Sequence, residues 1–264
     1  MTGSNVTEQI RARCTQLLLP TVAAQAEPCF QEAGHGEALP TLLEVLDRES
    51  DDRHQRRVER LRRAAKLPPG KTAATFDATR LPAKLRQQLV DLARAEFVER
   101  ATNVLAFGLP GTGKSHAMAA LGHTLVAAGH TILFVPAYRL VQELLAAKRD
   151  LALPRALRRL DAFEVVILDD LGYVQQDGAE ADVLFTLMAE RYERRSLVVT
   201  SNLVFSQWDQ IFRHPMATAA AIDRIVHHSV ILEFDVSSYR TDEAKKRQAS
   251  PPKDGGGEKT QRKK

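Results

Sequence analysis

The chain has 264 residues, 44% of them hydrophobic and 27% charged, the proportions of a globular protein with a core of its own, and its length fits one ordinary domain plus a small second one. No stretch nears the roughly 18 apolar residues of a membrane span. Cys14 and Cys29 form neither a disulfide framework nor a paired metal-ligand spacing, so a cytoplasmic protein without a membrane partner is expected. The net charge of +4 is uneven, with a slightly acidic middle between two basic ends.

Leu17 to Ala26 (LLLPTVAAQA), after Arg11 and Arg13, superficially resembles a secretory signal. The stretch is short, contains Pro20 and has Glu8 where a basic region belongs, which favours a packed amphipathic helix. Residues 6–66 read as helical: no β-rich run occurs, and Leu42, Leu43, Leu46, Val58 and Leu61 fit one side of a long helix with a polar gap at Glu49 to Arg57. Leu67, Pro68, Pro69 and Gly70 break it. This sets apart a helical N-terminal domain, residues 1–69, for DNA or partner binding.

From Asn103 onward short apolar strands alternate with helical patterns, the texture of an α/β domain with a parallel sheet. Strands are predicted at 103–107 (NVLAF), 131–135 (TILFV), 164–168 (EVVIL), 197–201 (LVVTS) and 229–234 (SVILEF). They place a five-stranded domain at residues 70–240. The tail, 241–264, holds Pro251, Pro252, Gly255 to Gly257 and many lysines, and is expected to be disordered.

GLPGTGKS, residues 108–115, directly follows the first strand and opens a helical run. This is a P-loop: Gly108, Gly111 and Gly113 let the backbone curl from Leu109 through Pro110, which has no N–H of its own, to Thr112, so that the loop's N–H groups point toward phosphate next to a helix N-terminus. Lys114 is expected to reach the β- and γ-phosphates of ATP and Ser115 to hold Mg²⁺, with His116 next in the cradle. EVVILDD supplies the Walker B pattern: Asp169 can hold the Mg²⁺ shell and Asp170 can polarise a water aimed at the γ-phosphate. One apolar strand, 131–135, falls between the two motifs in the chain, an order that suits ATPases with a strand inserted between them in space.

LVVTS ends in Asn202, which can orient the attacking water at the sensor position of AAA+ ATPases. Arg224, far along the chain from its own P-loop, is suited to a neighbouring subunit's ATP as an arginine finger, an effect of about 10³ to 10⁵ in rate; an Asp223–Arg224 surface pair is the plainer alternative. Too few residues separate Asn202 from Arg240 for a C-terminal helical lid, so a homo-oligomer coupled to ATP is expected.

These blocks, with LLEVLDRESDDRHQRRVERLRRAAKLP, the Phe76–Asp77 pair, FVERATNVLAFGLPGTGKSH, VVILDDLG, the Glu190 to Trp208 block, Asp223–Arg224 and Ser238 to Arg240, make residues 38–240 resemble the IstB-like helper ATPases of insertion-sequence transposition. Their ATPase core is similar to that of the DnaC and DnaI helicase loaders of the AAA+ superfamily. The resemblance implies a P-loop AAA+ fold without a C-terminal lid, ATP hydrolysis with Mg²⁺, assembly on double-stranded DNA, and an IstA-like partner transposase that the protein recruits or activates. It gives Arg224 the arginine-finger place and puts Arg240 near the nucleotide or subunit interface. Asp170 departs from the usual AAA+ Glu, which implies slow hydrolysis, and FDVSSYR departs from the glycine-containing form before SYR.

For DNA the candidates are Arg53, Arg56, Arg57, Arg60, Arg63 and Lys66, which can share a helix face, and Arg139, Lys148 and Arg149, part of a cluster with Tyr138, Arg155, Arg158 and Arg159. Against the first group stands a solvated helix held by pairs such as Asp52–Arg56 and Glu59–Arg63. Neither carries a base-reading motif, so weakly specific, salt-sensitive binding is expected. Rival functions are a DnaC-like replicative helicase loader, a small-molecule P-loop kinase and a non-hydrolysing DNA clamp.

Overall fold

The computed structural model describes residues 3–172, 178–203, 225–239 and 241. They fall into two units, the first reaching Ala64 and the second starting at Ala65, with Val126–Gly129 counted in the first.

The first unit has three helices, α1 (Gly3–Gln16), α2 (Pro20–Glu32) and α3 (Leu39–Ala65). Pro20 sits in the first turn of α2, where its missing N–H costs no hydrogen bond. Ile10, Cys14, Leu17, Ala26, Leu39 and Leu46 form its small core. That core meets only the first part of α3. The polar stretch beyond it is not a break but a solvated continuation, bridged by Glu49–Arg53 (2.6 Å), Asp52–Arg56 (3.1 Å) and Glu59–Arg63 (3.1 Å). Each such exposed pair adds only about 0.3–0.5 kcal/mol. Longer ties are firmer in geometry: Arg13 meets Asp47 at 2.6 Å, and Arg53 Nη1 donates to the Leu17 carbonyl at 2.8 Å. The helix stops as Lys66 takes a left-handed backbone, φ +53°, ahead of Pro68.

The second unit begins with α4 (Ala83–Leu92) and α5 (Glu96–Glu99) and then alternates β1 (Asn103–Phe107), α6 (Lys114–Ala127), β2 (Ile132–Pro136), α7 (Ala137–Arg149), α8 (Leu153–Asp161), β3 (Val165–Leu171), α9 (Gly178–Arg191), β4 (Ser196–Ser201) and β5 (Ser229–Glu233). All neighbouring strands are parallel, in the order β2-β3-β4-β1-β5. Parallel sheets need helices on both faces, and the burial fits: Leu105, Leu133, Val166, Leu168 and Val199 share one core with Leu140, Leu144, Leu160, Leu184 and Leu187 of α7, α8 and α9. The alternate side chain Ile167 meets α6 at Gly122, where an added Cβ would lie 3.0 Å from Ile167 Cδ1 and 2.7 Å from Leu67 Cδ2.

The five expected strands are all present, but their spatial order corrects one reading. The strand between β1 and β3 is β4, which follows both in the chain, while the 131–135 strand, now β2, lies at the sheet edge. Chain order alone does not fix sheet order when every connection is a crossover.

Two polar devices fix the sheet's margins. Glu164 accepts from the Thr131 N–H at 2.7 Å and its hydroxyl at 3.0 Å, lies 3.2 Å from His130 Nδ1, and its own N–H donates to Thr131 Oγ1 at 2.9 Å. Thus Thr131 and Glu164 clamp the starts of β2 and β3 rather than belonging to them. Burial works to raise the Glu164 carboxyl, but the Thr131 N–H, His130 and the Thr131 hydroxyl together hold it below its ordinary value. Arg191, 1% exposed, donates to the carbonyls of Leu160 (2.9 Å), Phe163 (2.9 Å), Glu164 (3.2 Å) and Ser196 (3.1 Å). It ties the segments around α8, β3 and β4. Burial pushes its guanidinium down to about 10, against the pull of Asp161.

Candidate nucleotide site

The C-terminal ends of β1, β3 and β4 meet at one edge of the sheet, where ligands of open α/β folds bind. The loop after β1 has Gly108, Gly111 and Gly113 at φ +148°, +83° and +101°, a region that favours glycine. At Gly108 space is equally restrictive: an added Cβ would fall 2.5 Å from the Phe234 carbonyl oxygen and 2.9 Å from its Cβ. The segment after β5 therefore runs directly against the loop. It is held there by Phe234 N–H to the Phe107 carbonyl (2.7 Å) and by Tyr239 N–H to the Gly111 carbonyl (2.9 Å).

Lys114, the first residue of α6, is 4% exposed. Its ammonium donates to the carbonyls of Gly108 (2.6 Å) and Leu109 (2.8 Å) and to Asn202 Oδ1 (2.8 Å). Carbonyl and amide oxygens are thus among the acceptors that hold this buried cation beside a curled, N–H-rich loop. An anion is the stronger acceptor and can take their place. Thr112, also buried, closes the turn by donating to the Leu109 carbonyl at 2.9 Å.

The acidic pair sits on an irregular strand end. Pairing of β3 with β4 shifts register between Leu168 and Leu171, and Asp170 takes a left-handed backbone, φ +60°. This bulge lets Asp170 line the cavity, although adjacent residues of a regular strand point to opposite faces. Thr200 of β4 links the two acids: its hydroxyl donates to Asp169 Oδ1 at 2.7 Å and accepts from the Asp170 N–H at 2.9 Å.

The cavity measures about 530 Å³, within the range of small-molecule sites. Pro110 to His116, Asp170 and Asn202 line it on one side. The other side comes from residues that sequence reading did not assign to the site: Thr75, Phe76 and Arg80 before the sheet, and Ser237 and Tyr239 after it. His116 joins the two sides. Its Nε2 lies 3.1 Å from Thr75 Oγ1 and 3.2 Å from the Thr72 carbonyl, and its ring centre is 5.2 Å from that of Phe76. Arg80 Nη2 donates to Ser237 Oγ at 3.0 Å, and its guanidinium lies 5.2 Å from the Tyr239 ring centre. The Phe76–Asp77 pair and the SYR block were the available signals.

Of the remaining expected residues, Gly108 and Leu109 offer carbonyls to Lys114, and Asp169 is engaged by Thr200. Arg224 and Arg240 lie outside the described residues. No group of three or more His, Cys, Asp and Glu side chains converges among the described residues. The donor set nevertheless fits Mg²⁺, which is commonly held by one or two carboxylates and the substrate's phosphates rather than by an all-protein cage; Ser115 and the Asp169–Asp170 strand end supply a hydroxyl and carboxylates.

The basic candidates are mostly engaged. Arg53, Arg56 and Arg63 pair with Glu49, Asp52 and Glu59 as the solvated-helix alternative expected, Arg139 lies 3.7 Å from Glu143, and Lys148 lies 3.5 Å from Asp182. Arg57 reaches the Gly129 carbonyl at 3.3 Å. Among the described residues no helix is long and apolar enough to cross a membrane.

Comparison with known proteins agrees with this geometry. An insertion sequence ATP-binding protein of Sinorhizobium fredii is 42% identical over 228 residues, covering 85% of this chain and 76% of that one. The insertion sequence IS21 ATP-binding protein of Pseudomonas aeruginosa is 40% identical over 205 residues, 78% of this chain and 77% of its own. Among solved structures, DnaI matches with a TM-score of 0.53 at 21% identity over 64% of this chain and 94% of its own, and the DnaC helicase loader with 0.53 at 18% over 66% and 100%. These support the P-loop AAA+ fold. The family model described as IstB-like ATP binding protein matches residues 12–249, and the chain belongs to that family.

Proposed function

We propose that the protein is an ATP-hydrolysing, DNA-binding helper of insertion-sequence transposition, which oligomerises on double-stranded DNA and recruits or activates a partner transposase. One observation carries the enzymatic part: the buried Lys114 ammonium, the cavity-lining Asp170 and Asn202 converge on a glycine-shaped loop. In this reading the loop N–H groups and Lys114 bind the β- and γ-phosphates of ATP. Ser115 and Asp169 would hold Mg²⁺, which would supply neutralisation of the phosphate charge. Asp170 accepts a proton from the water aimed at the γ-phosphate, and Asn202, hydrogen-bonded to Lys114, orients that water. Arg224 of a neighbouring copy completes the site, with Arg240 close to it. Names of the relatives support the insertion-sequence context. Likeness to DnaC is likeness of fold, so a helicase loader remains the second reading, to be decided by whether a transposase is encoded beside this chain.

The test is ATP hydrolysis with and without duplex DNA, alongside light scattering. Expected are DNA stimulation and ATP-dependent assembly in the wild type, with hydrolysis reduced about 10² to 10⁴-fold in Asp170→Asn. A monomer whose hydrolysis is indifferent to DNA would count against the transposition reading, and phosphate transfer to a metabolite would favour a kinase.

A further inference from the structure

The bulge in β3 raises a bonding problem that a side chain of β4 solves. From Leu168 to Leu171 β3 advances three positions, while β4 advances two, from Val199 to Ser201. Asp169 and Asp170 therefore share one residue opposite them, Thr200. A bulge disrupts the ladder locally, and a backbone N–H held away from water has to find an acceptor. The Asp170 N–H finds the Thr200 hydroxyl, at 2.9 Å. Because an amide N–H only donates, the single hydroxyl hydrogen is turned away from it and toward Asp169 Oδ1, 2.7 Å off. Thr200 is completely buried. Ser201, equally buried, provides the contrast: its hydroxyl donates to the Leu171 carbonyl at 2.9 Å and accepts from the Leu203 N–H at 3.1 Å, touching neither acid.

We infer that Thr200 is the positioning residue of the acidic pair. Its one hydroxyl holds the bulge that lets Asp170 line the cavity, and it engages one oxygen of the Asp169 carboxylate, leaving the other available to Mg²⁺. Resting on the nucleotide-site reading above, this gives the strand that ends beside Asn202 a second task, separate from orienting water. Hydrogen-bond partners that orient metal-binding carboxylates are worth about 10- to 100-fold in metal affinity or activity. Valine in place of Thr200 keeps the shape but not the hydroxyl: the Asp170 N–H then faces a methyl group, and the Asp169 carboxylate is free to turn.

The test titrates the full chain with a non-hydrolysable ATP analogue by calorimetry, once with excess Mg²⁺ and once with EDTA. The ratio of the two affinities measures how well the chain holds the metal, independently of turnover. Thr200→Val and the smaller Thr200→Ala are expected to bind the metal-free analogue within about threefold of the wild type, because Lys114 and the loop are untouched, yet to lose at least about tenfold of the tightening that Mg²⁺ brings. Their ATP hydrolysis is expected to slow by about the same factor in kcat. Thr200→Ser, which keeps the hydroxyl, is expected to restore both quantities to within about threefold of the wild type, and Ser201→Ala to retain both while unfolding at lower urea. Full tightening by Mg²⁺ in the valine or alanine variant, an equal loss in Ser201→Ala, no recovery in Thr200→Ser, or loss of metal-free binding along with the rest would overturn the assignment to Thr200. A wild type that binds no analogue, or binds it equally well with and without Mg²⁺, would instead defeat the nucleotide-site reading itself.

Discussion

Gly108 shows how much one position can carry. Its neighbours on the far side are backbone atoms of Phe234, which cannot rotate away, and its φ is +148°. Gly108→Ala is therefore expected to destabilise the protein by about 2 to 4 kcal/mol in urea unfolding, through strain and overpacking together, and to abolish nucleotide binding. Gly34→Ala is the control: with φ +73° and nothing within 4 Å of an added Cβ, it is expected to cost about 1 kcal/mol. Equal costs would mean that the contact with Phe234 is not formed. At this scale the P-loop and the acidic pair were legible because their chemistry is local, a glycine spacing and two adjacent carboxylates. Thr200, which joins Asp169 to Asp170 from another strand, and His116, which meets Thr75 across 41 positions of sequence, were not legible as partners. No local pattern encodes a contact that exists only after the sheet has formed.

Elements were readable where burial imposes period or continuity. The five apolar runs became five strands, and the Leu67–Gly70 breaker lies just beyond the end of α3. The margins were not, since Thr131 and Glu164 look like strand residues yet act as a clamp. Because the folded Glu164 carboxyl lies below its ordinary value near 4.5, the unfolded chain binds that proton more tightly. The stabilisation is full above the unfolded value and is lost as pH falls through the folded one. Glu164→Gln is thus expected to melt below the wild type at neutral pH, with the gap closing in acid; a gap independent of pH would refute the clamp's charge. Arg191→Ala leaves four carbonyls to find new partners and is expected to cost about 3 kcal/mol, measured by the urea midpoint. A loss under about 1 kcal/mol would show that water replaces the guanidinium.

For the molecule as a whole, the alternation of strands and helices announced an α/β fold, but not that β4 lies between β1 and β3 or that segments from both ends of the second unit wall the cavity. Strand order depends on crossovers, and the Arg80–Ser237 contact spans 157 positions. Those long-range pairings turn a phosphate loop into a cavity with a second wall, in which the proposed function gives Lys114 and Asp170 separate tasks. Lys114 is assigned to holding the nucleotide and Asp170 to the water that cleaves it. Calorimetric titration with magnesium ATP separates these tasks most directly. Wild type and Asp170→Asn are expected to bind with similar affinity, and Lys114→Ala to lose at least about a hundredfold, or 2.7 kcal/mol, as a charged contact to phosphate implies. Binding by Lys114→Ala equal to the wild type, or no binding by the wild type with or without duplex DNA, would contradict the nucleotide site.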